Sequence, residues 1–287
     1  MRIYLCGVRG STPAPGAEFV RYGGHTSCVA IAPDEAPADD GVPRLILDAG
    51  TGLRQVTGLL RGEPFAGTII LTHLHWDHVH GLPFFAAGDR EDARVTLLLP
   101  EQESQKEGSA GAEEVLAEGM SPPHFPITPR GLRGDWSFGA ITPGTFKAEG
   151  FTVEAREVPH KGGRTFGYRV SDGHSSVAYI PDHCPTALGP GPDGWGEYHP
   201  DALALAADAD LLIHDAFLRP EEVPAQASFG HPAADYAVSL ARRAGAGRVL
   251  LAHHKPGRTD DELDALAARF RADPRVAVAA EGQVIDL

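Results

Sequence analysis

The segment Thr72–His78, THLHWDH, limits what this chain can fold into more than any other. It follows directly on the apolar run GTIIL. Three histidines and an aspartate so close together are more than a fold requires, and imidazole and carboxylate are the usual ligands of zinc and similar ions. A bend after the strand lets His73 and His75 serve one ion while Asp77 and His78 turn to a second. One such cluster cannot complete two coordination spheres, so distant residues must return to it. Candidates stand at the ends of other apolar runs: His160 after FTVEAREVP, Asp182 after SSVAYIP, and His253 and His254 after GRVLLA. A rigid scaffold whose strand ends meet at one rim meets that demand.

The rest of the pattern fits such a scaffold. Strands are expected at Ile3–Val8, Ser27–Ala32, Arg44–Leu47, Thr68–Leu71, Arg94–Leu99, Phe151–Val158, Phe166–Val170, Ser175–Ile180, Asp210–Ile213, Arg248–Leu251 and Arg275–Ala279. They are short and rich in Val, Ile and Leu, as buried strands are. Pro232–Ala244 reads as an amphipathic helix stopped by Gly245, and Thr259–Ala272 as one opened by a Thr259–Glu262 capping box. Leu53–Leu60 and Asp201–Ala207 are weaker helical patterns. Acidic Pro33–Gly41 reads as a hairpin loop. Residues 101–147 are polar and Gly-rich, then dense in proline, and read as an irregular insertion over one end of the sheets, with Pro122–Pro126 as a stiff wall over the site.

A second group looks catalytic. His214 and Asp215 end the run ADLLI, and a carboxylate beside a histidine handles protons by setting the tautomer and basicity of the ring. His231, in FGHP, stands at the cap of the Pro232 helix, as a proton donor or as a plain N-cap. The glycine-rich stretches Gly7–Gly16 and Arg21–Cys28 frame the site. Lys161–Arg169, KGGRTFGYR, adds local positive charge, either for a substrate anion or as a solvated hairpin. Cys184 is a thiolate ligand or a small buried thiol.

Composition narrows the function. The chain has 287 residues, a net charge of −14, and 34 Gly and 24 Pro among many short elements. An acidic balance disfavours a general nucleic-acid binder. No run reaches the ~18 apolar residues that span a membrane, and no secretory signal opens the chain. Three cysteines at unrelated spacings imply no disulfide framework. The expectation is a cytoplasmic protein.

Taken together these residues resemble the metallo-β-lactamase superfamily over essentially the whole chain. THLHWDH is similar to its HxHxDH signature, and His160, Asp182 and His253 match its later ligand motifs in order. GVRGSTPAPG, YGGHTSC, HKGGRTFGYR and the HDAF…FGHP pair resemble its phosphodiesterase branch, which includes ribonuclease Z and the phosphoribosyl cyclic phosphodiesterases. The resemblance implies a single α+β domain over 1–287, a four-layer αββα sandwich. It implies His73, His75 and His160 on one metal, Asp77, His78 and His253 on the other, and Asp182 bridging them. Asp77 joins both the ligand and the catalytic sets, and His231, His214 and Asp215 are implied to assist departure of the leaving oxygen. Ribonuclease Z carries a Glu where this chain has Asp215, and a basic arm that has no counterpart here.

The resulting expectation is a hydrolase with two divalent ions, zinc with manganese or iron(II) as alternatives, that acidify a water for attack on phosphorus. Its substrate would be a small phosphodiester, a cyclic nucleotide or cyclic sugar phosphate. Transfer RNA is disfavoured by the charge, no membrane is involved, and a homodimer is compatible. One alternative is a lactone, thioester or β-lactam hydrolase on the same metals. Another is a non-catalytic metal- or nucleotide-binding module.

Overall fold

A computed structural model describes residues 1–33, 41–102 and 111–287. The expected loop at Pro33–Gly41 and the start of the 101–147 segment lie mostly outside the described residues. The first half of the chain contains β1 (Arg2–Gly7), β2 (Cys28–Ala32), β3 (Leu45–Leu47), α1 (Leu53–Leu59), β4 (Ala66–Ile70), α2 (Trp76–Val79), β5 (Arg94–Pro100), α3 (Ala112–Gly119) and β6 (Asp135–Ile141). The second contains β7 (Gly144–Ala148), β8 (Phe151–Glu157), β9 (Phe166–Ser171), β10 (Ser176–Ile180), α4 (Pro200–Ala206), β11 (Leu211–Asp215), α5 (Val223–Gln226), α6 (Ala234–Ala244), β12 (Arg248–Ala252), α7 (Asp260–Phe270), β13 (Val276–Val278) and β14 (Val284–Asp286).

Two seven-stranded sheets result, in the orders β14-β1-β2-β3-β4-β5-β6 and β13-β12-β11-β10-β9-β8-β7. Each begins as an antiparallel meander and continues as parallel strands: β3 through β6 in one, β10 through β13 in the other. Strand alternation explains how they stack. Ile3, Leu5, Val29, Ile31 and Leu45 of the first sheet meet Val153, Val170, Val177, Leu211, Ile213 and Leu250 of the second between the layers. The intervening residues face outward. Ala30, Ile46 and Ile69 pack on α1 through Leu53 and Val56, while Ile180, Leu212, Val249 and Leu251 pack on α4, α6 and α7. Full burial of such side chains contributes ~1.5–3 kcal/mol each, so both faces of both sheets drive assembly. The order is helix, sheet, sheet, helix: the expected αββα sandwich.

The 101–147 segment differs from expectation. Among its described residues it is only partly irregular: it supplies α3 and an edge strand to each sheet, β6 paired with β5 and β7 with β8, while 120–134 is mostly turn and loop. Trp136, Phe138 and Phe146 on these strands are only half-buried, so the runs lack the continuous apolar character of the interior strands. Among the described residues no helix is long and apolar enough to cross a membrane.

The topology sets the site. The carboxyl ends of β3, β4, β8, β10, β11 and β12 open on one rim, and in open α/β sheets ligands gather at that end of the strands.

Candidate metal centre

The turn after β4 carries His73 and His75, and the single turn of α2 then rotates Asp77 and His78 inward, where both are buried. Trp76 faces out and is 70% exposed. His160 follows β8, Asp182 follows β10 and His253 follows β12. These seven side chains meet. His73, His75 and His160 form one group, Asp77, His78 and His253 a second, and His73, His78 and Asp182 a third; within each, one ligating atom per residue lies within 4.8 Å of the others. Asp182 faces both sides. Its Oδ2 is 2.8 Å from His78 Nε2 and 3.3 Å from His253 Nε2, and its Oδ1 is 3.5 Å from His160 Nε2.

The donor set fits divalent cations. His73 Nε2, His78 Nε2 and Asp182 Oδ2 are buried without a hydrogen-bond partner among the described residues. The 2.8 Å approach of His78 to Asp182 is close but not aligned as a hydrogen bond. Leaving such atoms unsatisfied costs ~1–3 kcal/mol each, and a cation would satisfy them together. Burial lowers His73, His75 and His160 below the ordinary imidazole range, keeping the neutral form that ligates. At His78 burial also opposes charge, but Asp48, Asp77 and Asp182 outweigh it and raise the ring well above that range. Asp182 and Asp77 likewise overcome burial at His253, raising it to about 9. Burial works against the Asp77 carboxylate, yet His78 and His253 hold it well below the usual carboxylate range. The carboxylates demand positive charge, which ring protons or cations can supply.

A supporting shell fixes the rings. Asp48, fully buried at the end of β3, takes His78 Nδ1 at 2.8 Å, the Thr72 backbone N–H at 2.7 Å and the Tyr179 hydroxyl at 3.0 Å. Such partners orient a ligating imidazole and raise its basicity. Asp48 went unnoticed in the sequence because an aspartate before Ala-Gly reads as a turn; its place at the end of the apolar run Leu45–Leu47 was the available signal. The Ser11 backbone N–H donates to Asp77 Oδ2 at 2.6 Å, and His160 Nδ1 donates to the Gly230 carbonyl at 3.0 Å. Two glycines allow close approach. A Cβ at Gly10 would enter the His253 ring, and one at Gly162, at φ +79°, would meet His75 Nε2.

His253, and not His254, enters the cluster. His254 turns away, and its Nε2 donates to the Ala279 carbonyl at 2.8 Å. Cys184 lies against the Thr186 hydroxyl and joins none of the groups.

The catalytic group needs correction. Neighbours on a strand face opposite ways, so His214 and Asp215 do not form a pair. His214 faces the helices, where its Nδ1 donates to the Asp215 backbone carbonyl at 2.7 Å and its Nε2 meets His183 Nδ1 at 3.2 Å. Asp215 faces the rim, and its partner is His231: Nδ1 to Oδ2, 2.8 Å. Asp215 Oδ1 also accepts the Phe217 backbone N–H at 3.0 Å. His231 is no helix cap. The helix begins at Ala234 with Ala233 as its cap, because the 232–234 backbone bonds to Leu218 first. His231 instead stacks on Phe217, with centroids 4.3 Å apart.

Above these groups opens a cleft of about 740 Å3, walled by Trp76, Phe217, Phe229, His231 and Lys255–Gly257. Pro122–Pro126 is not among its walls: Phe125 packs against Phe84 on the far side of Trp76. The KGGRTFGYR cations are held by the protein. Arg169 donates to the Leu205 and Ala207 carbonyls, Arg164 pairs with Glu157 at 2.8 Å, and Lys161 donates to the Ser228 carbonyl.

Comparison with known proteins agrees with this geometry. Residues 43–254 match the family model described as a β-lactamase superfamily domain. Ribonuclease Z of Salinibacter ruber is 29% identical over 228 residues, covering 64% of this chain and 67% of the relative. The metallo-β-lactamase fold protein YhfI of Bacillus subtilis superposes with a TM-score of 0.68 at 20% identity, covering 99% of each chain. The short form of human tRNase Z gives 0.65 at 19% identity, covering 100% of this chain and 99% of the other. These relatives overturn the expectation that transfer RNA is disfavoured. Net charge is a property of the whole molecule, and it cannot rule out a substrate class that relatives with the same fold are named for. The ligand-type clusters and the matched family make this chain a metal-dependent hydrolase, a member of the metallo-β-lactamase superfamily with similarity to ribonuclease Z.

Proposed function

We propose that this hydrolase is a binuclear phosphodiesterase. The observation that carries the reading is the Asp215–His231 pair beside Asp182, with His231 lining the cleft and its Nδ1 occupied by Asp215 at 2.8 Å. That contact leaves Nε2 as the nitrogen able to serve a substrate. Asp215 fixes the tautomer and orientation of the ring, which places His231 Nε2 to give a proton to a departing alkoxide. A thiolate leaves without that proton, so a general acid here favours an alkoxide-expelling substrate over a thioester, and the similarity to ribonuclease Z favours phosphorus over carbonyl carbon.

In this reading His73, His75 and His160 hold one ion, Asp77, His78 and His253 the other, and Asp182 both. When bound, the ions supply an acidified water and neutralise charge on the phosphoryl oxygens. Zinc suits three-imidazole and imidazole–carboxylate donor sets, with manganese and iron(II) as alternatives. Asp48 holds His78, the Ser11 N–H holds Asp77, and the Gly230 carbonyl holds His160, so the chain itself keeps the ligands in register. The substrate class covers small cyclic phosphodiesters and transfer RNA, the latter suggested by the relatives' names. A cytoplasmic place is consistent with the three free cysteines.

The test is a panel run with and without chelator. It contains bis-p-nitrophenyl phosphate, a set of cyclic nucleotides, a precursor transfer RNA, and a lactone and thioester set. Chelator-sensitive turnover of phosphodiesters is expected. Turnover confined to the lactones and thioesters would overturn the reading.

A further inference from the structure

Beside the cleft lies a second cavity, of about 270 Å3, that the chemistry above does not use. Its apolar lining includes Leu82, Leu116 and Met120, all buried. Its aromatic lining is Trp76, Phe84 and Phe125, with the last two edge to face at 6.1 Å. Trp76 and Phe84 are 70% and 59% exposed, unusual for large apolar side chains that flank a concavity. Leu74 and Trp76 also line the metal cleft, so the two spaces adjoin across these side chains.

Trp76 is the larger of the two shared side chains. It stands in sequence between His75 and Asp77, and its indole stacks on His80 with centroids 5.4 Å apart and planes 19° apart. His80 and His124 are polar side chains on an otherwise apolar lining, each with ring nitrogens to offer. Sites that enclose a whole small ligand span ~300–1,000 Å3. A slightly smaller cavity next to a larger cleft suits one part of a molecule. Aromatic walls with a few polar groups suit a flat ring with hydrogen-bonding edges.

We propose that this cavity is a substrate subsite for a nucleobase or similarly flat aromatic group, with Trp76 as the specificity-determining wall between it and the reacting phosphate. The proposal rests on the phosphodiesterase reading for its substrate. It differs from that reading in what it predicts: discrimination by the group the reaction leaves untouched.

The experiment compares kcat/KM for thymidine 5′-p-nitrophenyl phosphate and methyl p-nitrophenyl phosphate, which share phosphate and leaving group. The protein should prefer the nucleoside diester about tenfold or more, as base–aromatic stacking provides. Trp76→Ala, which removes the wall, and Val115→Trp, which fills the cavity from α3, should each bring the ratio toward one. Metal content and melting temperature report whether the variants fold, and Phe125→Ala replaces either that does not. A ratio near one in the parent protein, or one unchanged in the variants, overturns the subsite. If no diester is turned over, the phosphodiesterase reading fails on its own. The subsite is then read from calorimetric binding of thymidine 5′-monophosphate against methyl phosphate: a nucleotide preference lost in both variants supports it, and no preference overturns it. A dimer that dissociates in Trp76→Ala with no change in the ratio would assign the cavity to a second copy and overturn it too.

Discussion

The two faces of the second sheet both carry buried histidines, and they use them differently. On the face toward the first sheet and its rim, His160, His231 and His253 converge on Asp182 and Asp215. On the face toward the helices, His214 meets His183 and the Asp215 backbone carbonyl, with Tyr236 packed on both rings. His254 behaves like the second group: it bonds the Ala279 carbonyl, and burial lowers it to about 3. Burial therefore does not mark a functional histidine. Convergence on carboxylates does.

The comparison breaks most readily at His231. If it protonates the leaving oxygen, His231→Ala should cost about 10²–10⁴-fold on a ribose alkoxide leaving group. On p-nitrophenolate, which departs without a proton, the cost should be small, with metal content unchanged. Equal losses on both substrates would move His231 to a positioning role. Asp48 offers a smaller effect. Asp48→Asn should weaken metal affinity by about 10–100-fold, the usual range for a partner of a ligating histidine. Competition with a calibrated chelator measures it, and unchanged affinity would leave Asp48 as packing only.

The helix-facing histidines should behave in the opposite manner. His254→Leu should lower stability by ~1–3 kcal/mol, since it leaves the buried Ala279 carbonyl without its donor. Metal content should hold, as denaturant melts and metal analysis on one preparation would show. The smallest effect expected is at the cleft's outer wall. Glu222 binds Arg258 and Lys255, the latter at 3.1 Å, and against the opposing effect of burial these contacts lower its carboxyl to about 2. A depressed carboxyl contributes stability that is full above its unfolded value near 4.5 and is lost as pH falls toward 2. Glu222→Gln should therefore lower stability at pH 7 by about 1 kcal/mol, a figure kept small by partial exposure. The gap to the parent protein should close between pH ~4.5 and ~2; thermal melts across that range test the sign.

Much of this was legible in residues alone, for physical reasons that also explain the failures. Interior strands such as β2 and β10 are buried along their whole length and show as apolar runs. The edge strands β6 and β7 are half-solvated, so Pro- and Gly-rich surroundings masked them. The seven ligand-type residues stood out because THLHWDH concentrates chemistry and later candidates sit at strand ends. Asp48 did not, since a lone carboxylate before Ala-Gly has an ordinary role in turns. Pairing His214 with Asp215 ignored strand alternation, which sends neighbours to opposite faces and makes His231 the partner. The wall formed by Trp76 was hidden inside the motif itself, between two residues read as ligands, one of them also as catalytic.

Metal stoichiometry tests the central claim most directly. Purified protein, analysed by inductively coupled plasma mass spectrometry, should hold close to two divalent ions per chain. Asp182→Ala should lose more than one of them, because the two oxygens of Asp182 face His160 on one side and His78 and His253 on the other. Full occupancy in Asp182→Ala, or a parent protein that binds no divalent ion when offered zinc or manganese, would contradict the account.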